Sequence, residues 1–193
     1  ASTDTYKPRF FTHDTLTHDA SNKQFIYTNT RGESLKFFDF DASIAAALRG
    51  QFKSFTDAYG RETVAKYNPS NLIESFVQKS GGKTAGYHYD YHPGGPNAGR
   101  LRSVTYRVDS SHVQRVKYDY YDGRGGFGSA GDLKRATVQQ FINSDFSTVG
   151  VSYYRYYKAG DGDGFEHGLK YVLGPIGYSR MVELGITPEI ATD

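Results

Sequence analysis

The sequence predicts a mainly β protein, built of antiparallel β-hairpin repeats that form a curved, twisted sheet or partial shell with one or two short helices. Three observations predict it. The chain holds 17 Tyr and 13 Phe with 22 Gly and no Trp, a composition that favours strands joined by glycine turns. Most of it divides into short segments in which polar and apolar side chains alternate. Each segment is bounded by Gly, Pro, Asn, Asp or Ser, the residues that adopt turn conformations most readily.

Residues 1–24 are polar, with Thr-His-Asp at 12–14 and again at 17–19, and read as an N-terminal arm or partner strand. Residues 25–174 form the β-hairpin domain. QFIYT (24–28) and SLKFFDF (34–40) flank TRGE, whose glycine suits a tight turn. QFKSFTD (51–57) and ETVAKYN (62–68) flank AYGR in the same way. The remaining strands are NLIESFVQK (71–79), AGYHYDY (85–91), RLRSVTYRV (100–108), VQRVKYDYY (113–121), DLKRATVQQF (132–141), TVGVSYYRYY (148–157) and GLKYVLG (168–174).

Helices are expected at Ala42 to Leu48, before Gly50, and at Pro175 to Leu184 within a 175–193 tail. The second has proline in its first turn and Gly185 at its stop. Period two puts Arg102, Val104, Tyr106 and Val108 opposite Leu101, Ser103, Thr105 and Arg107. One face is the more apolar in most strands, yet neither is cleanly so. That pattern suits a curved sheet lined by aromatic rings better than a two-layer sandwich.

Composition excludes several function classes. A chain of 193 residues supports one domain with a core, or two small units; at this size folding buries about 70% of the surface of the unfolded chain. The net charge is +2 with scattered basic residues, so no footprint for nucleic acid or an anionic membrane stands out. The absence of cysteine removes disulfides, thiolate metal sites and cysteine nucleophiles. No apolar run approaches the roughly 20 residues of a membrane-spanning helix, and no signal segment opens the chain. A start at Ala1 without Met reads as a processed product or a fragment, and Asn68-Pro69-Ser70 has proline where glycosylation forbids it.

Internal similarity is the strongest motif. GQFKSFTD (50–57), SNLIESF (70–76), GRLRSVTY (99–106), GDLKRATV (131–138) and HGLKYV (167–172) align on Phe52, Leu72, Leu101, Leu133 and Leu169, at spacings that lengthen along the chain. Aromatic-Asp or aromatic-Asn pairs precede the turns at Tyr67-Asn68, Tyr89-Asp90, Tyr118-Asp119 and Tyr121-Asp122. Over residues 25–172 this resembles the YD-repeat (RHS-repeat) family, most closely in YDYHPGGPNAGRLRSVTY (89–106), SFTDAYGRETVAKYN (54–68) and YDGRGGFGSAGDLKRATV (121–138). The resemblance implies a hairpin ribbon from a large bacterial surface or secreted protein. The family's closed shells need many more repeats, and the Asp-Pro-x-Gly self-cleavage signature is missing, so encapsulation and autoproteolysis are not implied for this chain.

Chemical motifs are few. His88, Asp90 and His92 share a strand face and are the residue types of a transition-metal site. Positions 88 and 92 are about 13 Å apart on a strand, while metal donors converge to about 2.0–2.2 Å. At most two of the three, such as His88 and Asp90, share an ion; solvated side chains and turn hydrogen bonds are the plainer reading.

AGDGDGFEHG (159–168) reads as a flexible hairpin loop, with a loose surface calcium site through Asp161 and Asp163 as the alternative; no cofactor is expected unless that loop holds calcium. GRGGFG (123–128) matches a dinucleotide fingerprint by accident, because a strand and not a helix follows it. No catalytic residue is singled out: there is no G-x-S-x-G elbow, and the acidic residues sit mostly at turns.

Tyr153, Tyr154, Arg155, Tyr156 and Tyr157 are the ligand-binding candidates, since aromatic faces stack on sugars and cations. Cross-strand aromatic ladders compete with that reading. The expectation is a scaffold or assembly module of a bacterial extracellular or cell-surface protein without catalysis of its own. Its partners would be neighbouring repeats or copies of itself through β-edges. A carbohydrate-binding module for polysaccharide is the alternative, and a glycan-active enzyme the third.

Overall fold

The structure, a computed structural model, describes residues 3–6, 13–124 and 126–191. Among them are β1 (Thr3–Tyr6), β2 (Thr15–Asp19), β3 (Gln24–Thr28), β4 (Ser34–Phe38), β5 (Phe52–Thr56), β6 (Glu62–Tyr67) and β7 (Ile73–Ser80). They continue with β8 (Lys83–Tyr91), β9 (Leu101–Val108), β10 (Ser111–Tyr120), β11 (Leu133–Ile142), β12 (Asp145–Tyr156), β13 (Leu169–Leu173) and α1 (Pro175–Glu183). The strands form one open antiparallel sheet of 13 strands in chain order. The chain divides into two compact units, residues 1–88 with 108–110 and residues 89–107 with 111–193.

Turn chemistry sets the connections. In the first unit Asn29, Asp57 and Asn68 each open a five-residue turn in the same way. Asn29 Oδ1 accepts the Arg31 and Glu33 amides, Asp57 Oδ1 those of Tyr59 and Arg61, and Asn68 Oδ1 those of Ser70 and Leu72. The fourth residue of each turn is left-handed, with φ of 81° at Gly32, 78° at Gly60 and 61° at Asn71, as a type I turn with a G1 bulge requires. Two-residue turns at Gly81-Gly82, Asp109-Ser110 and Asn143-Ser144 have positive φ at both positions. That is the I′ geometry whose twist matches the flanking strands.

The repeat noticed in the sequence marks a recurring β-bulge. Register shifts place Lys53 between Phe52 and Ser54, Glu74 between Ile73 and Ser75, Lys134 between Leu133 and Arg135, and Lys170 between Leu169 and Tyr171. An apolar residue, a charged bulge residue and then the residue at which regular pairing resumes thus open β5, β7, β11 and β13. The second copy is Ile73 and not Leu72, because Leu72 closes the Asn68 turn. Leu101-Arg102-Ser103 repeats the pattern in sequence, and Ser54, Ser75 and Ser103 are all buried. An extra residue resets the period-two alternation, so the opening residue changes face relative to the rest of its strand.

A bulge disrupts the ladder locally, and tyrosine answers it. Tyr67, at the end of β6, donates its hydroxyl to the Phe52 carbonyl at 2.6 Å, and Tyr120, at the end of β10, donates to the Leu101 carbonyl at 2.9 Å. Each tyrosine bonds the opening residue of the first strand of its own hairpin. Burial holds both phenols above their ordinary pKa, so they stay protonated donors.

Packing is aromatic and spread along the sheet. His18 stacks on Phe25 at 4.8 Å, Phe37 lies 6.2 Å from Phe52, and Phe52 lies 5.8 Å from Phe76. Gly86 faces Val77 across the β7–β8 pair, where a side chain would sit 2.8 Å from Val77 Cα and against the Phe76 carbonyl.

The polar N-terminal region supplies β1 and β2, which pair with each other, and β2 pairs with β3. The helix expected at 42–48 is reduced to one 3₁₀ turn at Ala46–Leu48. Asp39, buried at the loop's start, accepts from His18 and the Asp41 amide, and Gly50 and Gln51 return the chain to β4 and to Leu48. These anchors leave too few residues for an α-helix. The second helix forms as expected and stops at Gly185, φ 75°.

Replacing Tyr67 or Tyr120 by Phe is expected to lower the unfolding free energy by about 1 kcal/mol each, the net worth of one hydrogen bond. Tyr59, 87% exposed, is the control whose replacement by Phe leaves the urea midpoint unchanged. Gly86→Ala is expected to cost more than either, since backbone and not a flexible side chain opposes its methyl group.

Candidate functional site

The richest polar constellation lies in the second unit, around loops 121–132 and 157–168, the end of β12 and the segment after α1. Tyr121, 6% exposed, donates to the Tyr154 carbonyl at 2.8 Å and lies 3.1 Å from the Tyr153 hydroxyl. Burial, with the Tyr153 contact, pushes its phenol far above the ordinary value. Gly128 packs directly on the Tyr121 ring, and a side chain at Gly126 would meet it at 3.7 Å. The glycine run thus wraps a ring, where a nucleotide fingerprint would cradle phosphate; Gly125 lies outside the described residues.

Arg155 organises the far side. It is 4% exposed, and its Nη2 donates to the Pro188 carbonyl at 2.8 Å and the Ala191 carbonyl at 2.6 Å. Its guanidinium lies 3.5 Å from the Phe127 ring centroid and 5.6 Å from that of Tyr153. Pro188 is fully buried. Next to it Glu189 accepts from the Tyr178 hydroxyl at 2.8 Å and pairs with Arg135 Nη1 at 3.4 Å, while Arg135 also holds Asp119 at 2.8 Å. A cavity of about 230 Å³ remains beside this segment, between Tyr153, Leu173, Met181, Pro188 and Ala191.

A second cluster joins the two loops. Asp132 accepts the Ser129 amide on Oδ2 and pairs with His167 Nδ1 on Oδ1 at 2.7 Å, and the Ser129 hydroxyl donates to Glu166 at 2.8 Å. Arg100 lies against Gly131 on the same loop. His167 has a φ of 68°, a conformation uncommon for a residue with a side chain.

The ligand candidates from the sequence separate. Tyr153 is 1% exposed and Arg155 is engaged with the C-terminal carbonyls. Tyr154, Tyr156 and Tyr157 are half-buried, and Lys170 Nζ lies 5.8 Å from the Tyr157 ring. Of the metal candidates, His88 stands opposite Ser75 in the first unit, while Asp90, in the second, is held by Arg102 Nε at 2.6 Å. Asp161 accepts the Lys158 amide at 2.9 Å, capping its own turn, and Asp163 is exposed. Among the described residues no three His, Asp or Glu side chains are placed to share a metal.

Sequence reasoning did not find Arg135, Asp132, His167, Pro188 or Glu189. The Pro-Glu pair following Gly185 was the only local sign of a segment that docks after the helix.

The fold defines a class of protein, a mainly β chain made as a single open antiparallel sheet of hairpins with one short α-helix. No protein-family model matches the sequence. No curated protein is similar to it. Among solved structures it is similar to a porin-like protein from Bacteroides uniformis, with a TM-score of 0.37 and 12% identity, over 81% of this chain and 60% of that one. The chain therefore spans about 60% of that protein's length. No helix among the described residues is long and apolar enough to cross a membrane.

The Asp132 hydrogen bond outweighs partial desolvation and raises the His167 pKa above the ordinary 6.5. A raised folded pKa gives stability that is complete below 6.5 and is lost as pH rises through the folded value. NMR titration is expected to place the His167 midpoint above 6.5, and Asp132→Asn to return it toward 6.5. A midpoint that ignores Asp132→Asn counts against the pair.

Proposed function

We propose that this chain is a scaffold module of the YD-repeat kind from a bacterial secreted or cell-surface protein, and that it assembles through its sheet edges. The observation that carries this reading is the terminal strand. β13 pairs with β12 on one side and ends the sheet on the other. It exposes Leu169, Tyr171 and Val172 at 55%, 46% and 49%. An edge strand presents backbone donors and acceptors that another strand completes, and natural edges are usually blunted by charge or proline. Here one lysine, Lys170, stands among apolar side chains.

The repeat supports the same reading. Its tyrosines bond hairpin-opening carbonyls, its Asn and Asp residues cap turns, and its serines lie buried. Side chains that recur are those that shape and join hairpins.

Sedimentation velocity from dilute to near-millimolar protein is expected to show concentration-dependent association. Leu169→Lys with Val172→Lys is expected to suppress it while leaving the thermal transition in place, because both sites are already exposed. A strict monomer throughout the series overturns assembly through this edge.

A further inference from the structure

The segment that follows α1 is bound as a ligand is bound. Thr187 to Ala191 adds no strand and belongs to no helix; it is a turn in which the Ile190 and Ala191 amides donate to the Thr187 carbonyl at 3.1 Å, and Pro188 is fully buried. Its contacts are those of peptide recognition: Arg155 reads the Pro188 and Ala191 carbonyls, and Arg135 and Tyr178 read the Glu189 carboxylate. The receptor side is preformed. Arg135 is held by Asp119 through both Nε and Nη2, Arg155 is stacked on Phe127, and the Tyr153 hydroxyl accepts from that of Tyr121.

The segment also fills this receptor incompletely. About 230 Å³ stays open next to Pro188 and Ala191, and Ile190 points away, 76% exposed. A covalent tether of a few residues gives such a weak ligand an effective concentration of roughly millimolar order. It can therefore occupy its seat while remaining exchangeable.

The structure assigns to the β11–β12 face of the second unit a peptide-binding seat for a turn-forming segment in which proline precedes a carboxylate side chain and an apolar residue. The chain's own Thr187–Ala191 strap is its resident, displaceable occupant. Charge complementarity fixes the partner's chemistry, since Arg135 selects the acidic side chain beside the proline. The open volume favours a residue larger than alanine two positions after the acid. The open volume is bordered by Lys170, Tyr171 and Leu173 of β13, but the contacts that hold the strap are made by Arg135, Arg155 and Tyr178 and do not depend on edge assembly.

The probe is a fluorescein-labelled peptide of residues 184–191, Leu-Gly-Ile-Thr-Pro-Glu-Ile-Ala, titrated by anisotropy against the full chain and against full-length Pro188→Ala/Glu189→Gln. The released variant is expected to bind it at least about tenfold more tightly than the unmodified chain, because the tethered competitor is weakened. A peptide carrying the same two substitutions is expected to lose binding, and one ending in Leu in place of Ala to gain it.

If the double variant unfolds, Glu189→Gln alone gives the comparison, as it keeps Pro188 and removes the Arg135 pair. As a second readout on the unmodified chain, amides 186–191 are expected to exchange at least about tenfold faster than those of β12. A folded variant that does not bind the peptide overturns the seat. Binding that ignores the peptide's Pro and Glu, or strap amides as protected as the sheet, does the same.

Discussion

The hydrogen bond from a hairpin's last tyrosine to its opening carbonyl is the contact on which the sheet depends. β5, β7, β11 and β13 each open with a bulge, because an inserted charged residue stands between two residues that face one partner strand. The bulge bends the strand and increases its twist, and it interrupts the ladder at the point where a long connection enters. Tyr67 and Tyr120 bridge that point from the far strand of the same hairpin. A phenol is long enough to cross the strand pair, and burial keeps it protonated.

This device also explains how a sheet with few large buried side chains holds together. The residues most deeply buried are small or hydrogen-bonded, among them Ala65, Ser54, Ser75 and Thr105. Aromatic rings extend the apolar contacts sideways, as in His18 to Phe25 and Phe37 to Phe52 to Phe76. Cross-strand pairs of this kind contribute modest increments of about 0.2–1 kcal/mol each. Stability of such a sheet accumulates pair by pair from strand to strand.

The second unit uses the same parts for a different end. Loop 121–132 folds over the Tyr121 ring by virtue of its glycines, and loop 157–168 is fastened to it through Asp132, His167, Ser129 and Glu166. Arg155 then spans from the Phe127 ring to the carbonyls of the strap. An arginine is suited to this role because its planar group stacks on an aromatic face while its edge donates several hydrogen bonds. The tyrosine-rich run around it combines core and surface positions, with Tyr153 buried and its neighbours half-buried.

The sequence by itself determined the hairpins, their order and the second helix. Turn chemistry acts within five residues, as at Asn29 to Glu33, and strand alternation is equally local. It also displayed the bulge motif, though alignment on Leu72 in place of Ile73 misplaced one copy, because the extra turn residue is invisible until the register is known. Only the tertiary structure decided that the 42–48 stretch is helical at Ala46–Leu48 alone, as one 3₁₀ turn, with Asp39 and Gly50 anchoring both ends of that loop.

The strap seat was likewise out of reach of the sequence. Arg155 and Pro188 are 33 residues apart, and Tyr121 and Tyr153 are 32 apart. Nothing local distinguishes a tyrosine or arginine that packs inward from one that faces solvent. That choice is made when several strands and a returning segment close on the same side chain and exclude water from it.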